Sequence, residues 1–145
     1  AVVRAAAEHL FLELRDRHSL AYSVNAVNIE GVAPGFFAVY IATAPDKVEQ
    51  ARSGTLDELE RLLQEPPGAD ELARTQRNLT GNFVIDQQRN AARAAHIALD
   101  SLYGLGPLAS DEYPARIDAI TREDVLRVAQ RVLRLDAYTL ALVRP

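Results

Sequence analysis

Apolar positions recur along this chain with two different periods. Residues 2–16 place Val3, Ala6, Leu10 and Leu14 at helical spacing, with Val2, Phe11 and Leu12 widening the stripe. Residues 21–29 and 36–43 are instead rich in Val, Ile, Phe and Tyr, and the Gly- and Pro-bearing stretch EGVAPG between them suits a turn. That pattern predicts a β-hairpin. A helix is expected to start at Asp46, after Pro45, and run to about Gln64, where EPPGAD at 65–70 breaks it. Residues 70–103 read as one long helix, about 50 Å at 1.5 Å per residue. Leu72, Leu79, Phe83 and Leu102 mark its expected buried stripe. Ala91, Ala94, Ala95 and Ala98 leave room for close packing, and Gly81 is its weak point. GLGP at 104–107 ends it, with Gly before Pro. A short helix is expected at about 110–118. Thr121 and Asp124 are spaced as a capping box opening a helix to about Leu133. Residues 137–143, AYTLALV, are expected to form the last strand.

A hairpin plus a returning strand implies an α+β fold, with a mainly antiparallel sheet and helices packed on one face. Strand 36–43 is apolar on both sides, with Phe37, Val39 and Ile41 on one and Phe36, Ala38 and Tyr40 on the other. A sheet open to water on one side alternates more cleanly. Two readings stand: a central strand whose outer face is partly shielded, or a second face that meets another domain.

Composition narrows the function. The chain has 145 residues, enough to bury a real core in one domain, and is 48% apolar and 25% charged. A net charge of -4 gives no reason to expect nucleic acid or an anionic membrane as partner. With no cysteine there are no disulfides and no thiolate metal sites, and the compartment stays undetermined. No apolar run approaches the 18 or so residues of a membrane span, and AVVRAAAEHL lacks the layout of a signal peptide. Arginine outnumbers lysine 15 to 1, the single lysine being Lys47, which suits a GC-rich bacterial genome. The sequence has no methionine, even at position 1, so a processed chain or a piece of a longer one is expected.

A hydrolytic zinc site needs about three N or O ligands and an open position. The chain has three histidines, His9, His18 and His96, and no two stand at i, i+4. Residues 5–9, AAAEH, match HxxEH only with its first histidine replaced by alanine. No metal and no cofactor are therefore expected in this chain. Neither a nucleophile-elbow pattern nor a Gly-rich phosphate loop occurs. Asp57, Glu58 and Glu60 fall on a solvated helix face. No catalytic residue is assigned here.

What remains is LFLELRDRHSLAYSV at 10–24, an amphipathic helix followed by a short turn and a strand. It sets a guanidinium, Arg15, and a phenol, Tyr22, on either side of that turn. Two fixed donors converging there could hold an extended peptide backbone. On physics alone Arg15 is also a surface arginine near a helix C-terminus, and Tyr22 a half-buried strand aromatic.

The same stretch resembles the non-catalytic C-terminal domain of pitrilysin/insulinase-type zinc peptidases, related to mitochondrial processing peptidase, with a pattern near LF-x-x-LR-E-K-x-GLAYSV. Other segments are similar too: GFFAVYIATAPDKVEQA to the second hairpin strand and its following helix, GADELARTQRNLTGNFVIDQQRNAARA to the long helix, and YPARIDAITREDVLRVAQRVLRLDAYTLALVRP to the closing segment. There are departures. Ser19 stands where the family has Gly, and the Gly-rich bend before LF-x-x-LR is absent between His9 and Phe11. The strands that open the family's domain are absent as well. The expectation is a single domain, 1–145, forming part of a larger two-domain peptidase half.

The resemblance implies that Arg15 and Tyr22 bind substrate, facing a catalytic cleft across a two-domain interface. It places zinc in a partner domain or subunit bearing HxxEH, in cis or in trans. The implied partners are that metal-bearing domain, a peptide substrate and other subunits in a homo- or hetero-oligomer, with the chain alone inactive. The alternative is a purely structural subunit, like the related core proteins of the mitochondrial respiratory complex. Retained Arg15 and Tyr22 favour the first reading.

Overall fold

The computed structural model describes Leu10, Leu14 and residues 20–29 and 35–143. Strands β1 (Ser23–Ile29) and β2 (Phe36–Ala42) pair antiparallel, in register from Ser23 opposite Ala42 to Ile29 opposite Phe36. A 3₁₀ turn at Pro45–Lys47 leads into α1 (Val48–Gln64). Then come α2 (Ala69–Asp86), α3 (Asn90–Leu102), a second 3₁₀ turn at Ala109–Glu112, α4 (Tyr113–Asp118) and α5 (Arg122–Val132). The class is α+β. The described chain falls into two compact units, one of residues 68–121 and one containing the hairpin, α1, α5 and the segment after it.

In the hairpin unit, side-chain alternation decides which face is buried. Val24 pairs with Ile41 and Ala26 with Val39 on the inner face. Val24 and Ala21 form a core with Leu10 and Leu14, against which Leu20, Val39 and Ile41 pack. Each fully buried leucine or valine side chain stabilises by about 1.5–3 kcal/mol. The outer face carries Tyr40 opposite Asn25, and Phe36 and Tyr40 stay more than half exposed. The outer face of β2 thus presents two aromatic rings to solvent, and among the described residues β2 pairs only with β1. Of the expected stripe over 2–16, Leu10 and Leu14 are fully buried, and the rest lies outside the described residues.

Helix α1 turns Ala51, Leu59 and Leu62 inward. It meets Val125 and Ala129 of α5, and Leu133 just beyond, at i, i+4 and i+8. Gln130 Nε2 donates to the Leu63 carbonyl at 2.9 Å, and Arg122 Nε donates to the Pro67 carbonyl. Pro66 and Pro67 end α1 because proline cannot supply the next helical N–H.

The expected last strand does not form. Residues 137–143 run without ladder partners and are exposed throughout, so among the described residues the sheet has two strands. The β-prone composition AYTLALV calls for a strand, but a strand needs a neighbour to accept its hydrogen bonds. Tyr138 is tied at its hydroxyl, which accepts from Arg52 Nη2 at 3.0 Å.

In the unit of 68–121, the expected helix over 70–103 divides at residues 87–89, not at Gly81. Gln88 and Arg89 donate back to Ile85 and Asp86 with three-residue spacing, and Arg89 becomes extended ahead of α3. The run DQQRN at 86–90 has no apolar side chain to keep a stripe on one face, so packing cannot hold the helix straight through it. The buried stripe also differs from expectation. Thr75 is the buried residue of α2, Leu72, Leu79 and Phe83 are half-buried, and Leu102 is exposed. Helix α3 buries none of its residues, and Ala91, Ala94, Ala95 and Ala98 are not enclosed by any neighbour. Gln76 Nε2 bridges the carbonyls of Ile117, Asp118 and Ile120 at 3.1–3.2 Å, fixing α2 to the C-terminal end of α4. Phe83 stacks on Tyr113 at 4.6 Å. Asp124 lies in the first turn of α5, where a negative charge favours the helix dipole.

Candidate functional site

The end of the hairpin where β1 begins and β2 finishes builds a depression from local rules. Pro45 fixes its own φ and holds Ala44 extended, at φ -69° and ψ 149°. β2 therefore stops, and the chain folds into the 3₁₀ turn in which Lys47 N–H donates to the Ala44 carbonyl at 3.0 Å. Opposite, Tyr22 N–H donates to the Ala42 carbonyl at 2.8 Å, and Thr43 Oγ1 donates to the Leu20 carbonyl at 2.5 Å. Leu20 N–H in turn donates to the Leu14 carbonyl at 2.8 Å. The backbone on both walls is thus fixed by bonds that include pairs far apart in sequence.

Between these walls lies an open groove of about 540 Å³. Leu20, Ala21 and Tyr22 form one side, and Ala42, Thr43, Ala44 and Lys47 the other. Tyr22 is 89% exposed, so its main chain is anchored while its ring stands in solvent at the groove. It is therefore not a half-buried strand aromatic: it sits one residue ahead of β1 with its ring in solvent. Arg15 lies outside the described residues.

Sequence reasoning missed one polar constellation, in the other unit. His96 Nε2 lies 3.6 Å from Asp86 Oδ2, and its Nδ1 lies 3.5 Å from Ser110 Oγ. Ser110 Oγ donates to Asp100 Oδ2 at 2.5 Å, and its N–H donates to the same oxygen at 2.9 Å. The serine proton is therefore directed at the Asp100 carboxylate and not at the imidazole, so Ser110 and His96 do not form a nucleophile–base pair. The arrangement pins the second 3₁₀ turn to α3. The signal that locates it is the helix break, which lets His96 approach Phe83 edge-on at 5.5 Å. Arg89 pairs with Asp86, and this pair, ahead of the contact with His96, holds the Asp86 carboxyl below its ordinary range.

Asp57 and Glu60 lie on the solvated side of α1, and Glu58 pairs with Arg61 at 3.4 Å. His9 and His18 lie outside the described residues. Among the described residues no three His, Cys, Asp or Glu side chains come together to hold a metal ion. These described residues do not fit a zinc site. Among them, too, no helix is long and apolar enough to cross a membrane.

Comparison with known proteins gives these features a setting. Residues 3–79 match the peptidase M16 inactive domain. A zinc protease of Streptomyces coelicolor, itself uncharacterised, is 31% identical over 124 residues, which is 86% of this chain and 27% of that protein. A zinc protease of Rickettsia bellii is 25% identical over 136 residues, 94% of this chain and 32% of that protein. The chain thus spans about a third or less of these curated relatives. Among solved structures, the peptidase M16 inactive domain from Pseudomonas fluorescens superposes with a TM-score of 0.82, at 20% identity, over 93% of this chain and 34% of that one. The periplasmic protease PqqL from Escherichia coli gives a TM-score of 0.74, also at 20% identity, over 91% of this chain and 15% of that one. The hairpin with its groove and the first half of α2 all fall within the matched residues, and on that match this chain belongs to the peptidase M16 family, as its inactive domain.

Proposed function

We propose that this chain is a substrate-binding domain of a zinc-dependent metallopeptidase that cleaves peptides or small proteins. It contributes no metal and no catalytic group. A partner domain or subunit bearing HxxEH holds the zinc, and this domain supplies one wall of the cleft. The observation that carries the reading is Tyr22, its backbone bonded to Ala42 and its phenol exposed beside an open groove. A phenol on an anchored backbone can donate one hydrogen bond to a passing carbonyl. Arg15, seven residues earlier in the sequence, adds a guanidinium whose several N–H groups suit carbonyl oxygens and which stays charged. Family membership and the zinc-protease names of the relatives support this reading.

The test is an NMR titration of the isotope-labelled chain with a pool of extended heptapeptides. The expected result is shifts concentrated at residues 20–24 and 42–47. Shifts confined to other surfaces, or none, would favour the purely structural subunit.

A further inference from the structure

We infer that Thr43 is a positioning residue for Tyr22: its hydroxyl, bonded to the Leu20 carbonyl, sets where the phenol stands at the groove. The inference rests on the substrate-binding reading above and adds to it the residue that holds the binding group in place.

Two adjacent residues of one wall grip the other wall. The Ala42 carbonyl accepts from Tyr22 N–H at 2.8 Å, and Thr43 Oγ1 donates to the Leu20 carbonyl at 2.5 Å. The first bond is main chain to main chain, and residues of many kinds could make it. The second needs a hydroxyl at position 43. The strand register explains why a side chain has this task. Continuing the ladder from Ser23 opposite Ala42 sets Leu20 opposite Pro45, and proline has no N–H to donate. Thr43 supplies the donor instead. Leu20 is also bonded through its N–H, which donates to the carbonyl of the buried core residue Leu14 at 2.8 Å. Both main-chain polar groups of Leu20 are thus committed, and the chain passes through buried Ala21 to Tyr22. Packing holds little of Tyr22 at 89% exposure, so its place depends on the main chain that carries it. Loss of the Thr43 hydroxyl leaves the Leu20 carbonyl without this donor and loosens the turn ahead of Tyr22, while the phenol itself is unchanged.

The experiment is a double-mutant cycle in the full chain, read as affinity for a dansylated form of the extended heptapeptide pool. Two variants remove the hydroxyl, Thr43→Val with the branched shape kept and Thr43→Ala without it. Thr43→Ser keeps the hydroxyl and loses only a methyl. Thr43→Val is expected to weaken binding roughly 2- to 10-fold, the scale of one neutral hydrogen bond, and no more than Tyr22→Phe does. Thr43→Ala should do the same, and Thr43→Ser should bind as the native chain does. In the Tyr22→Phe background the loss of the Thr43 hydroxyl should have little further effect, because the group it positions is gone. Hydrogen exchange at the Leu20 and Tyr22 amides should speed up in Thr43→Val and not in Thr43→Ser. Thermal melts set a temperature at which the compared variants are folded. Undiminished affinity without the Thr43 hydroxyl, where Tyr22→Phe binds weakly, overturns this inference alone. So does an equal loss in both backgrounds, which would make Thr43 a direct peptide contact, and so does a loss that Thr43→Ser shares. Undiminished affinity of Tyr22→Phe, or binding of no peptide, overturns the substrate-binding reading and this inference with it.

Discussion

Gly54 of α1 lies so close to Leu14 that a Cβ on Gly54 would sit 2.7 Å from Leu14 Cδ2. Real Cβ atoms do not approach that closely. The missing side chain is therefore the condition for α1 to reach the core residue beneath the hairpin. Leu14 is fully buried and its carbonyl accepts from Leu20 N–H, so the packing of α1 reaches the groove wall through one side chain and one hydrogen bond.

Gly54→Ala sets two effects against each other. Alanine gains about 1 kcal/mol in helix propensity, while overpacking costs typically about 1–3 kcal/mol. A net loss of about 1 kcal/mol is expected. Gly81, mid-α2, has open space where a Cβ would stand, with no atom within 4 Å, so Gly81→Ala should gain about 0.5–1 kcal/mol. Leu14→Ala should cost about 2–5 kcal/mol by itself, and in that background Gly54→Ala should turn stabilising. Denaturant melts of the four variants measure this coupling.

How far the sequence announced the structure depends on where each residue finds its partner. The hairpin was legible because alternation and Pro45 act locally, and its strands fall within the expected 21–29 and 36–43. The groove was not legible. It depends on Thr43 bonding back to Leu20, a contact across 23 positions that no period encodes. The break at 87–89 shows the opposite failure. Good helix formers on both sides read as continuous, yet DQQRN lacks the apolar residues that would carry the stripe across it. Residues 137–143 have the composition of a strand, but composition cannot supply the neighbouring edge.

Self-association is expected on that account. Phe36 and Tyr40 expose the outer face of β2, Leu140, Leu142 and Val143 are exposed, and β1 and β2 contain no charged residue to discourage edge pairing. Light scattering should show a mass that rises with concentration, and Tyr40→Lys should lower it without shifting the thermal melt. A constant monomer mass over a wide concentration range would reject this.

Asp86 gives the fold a pH dependence with a definite sign. Its carboxyl is held below the ordinary value, chiefly by Arg89, so its contribution is complete above the unfolded-state pKa. That contribution is lost as pH falls through the folded-state value, which places the loss on the acid side, below about pH 4. The Tm of the native chain should fall across this range more steeply than that of Asp86→Asn, while above about pH 5 the native chain should be the more stable of the two. Parallel curves for the two proteins would show that Asp86 contributes nothing to the α2–α3 joint.

Tyr22 and Arg15 make the sharpest test of the proposed role, because loss of either should change turnover and leave folding alone. Tyr22 is almost fully exposed, so Tyr22→Phe removes a hydroxyl without opening a cavity. A hydrogen bond to a charged group is worth about 1.5–3 kcal/mol. Arg15→Ala should therefore slow peptide cleavage roughly 10- to 150-fold in the assembly with an HxxEH-bearing partner. Tyr22→Phe loses a neutral donor and should cost less. If the contacts tighten as the scissile carbonyl develops charge, kcat falls along with kcat/KM, whereas a contact equally strong in ground and transition states would raise KM alone. Steady-state kinetics on the assembly, with thermal melts as the folding control, separate these cases. Wild-type kinetics in both variants would remove Tyr22 and Arg15 from the substrate path, and the domain would then be a scaffold for its partner.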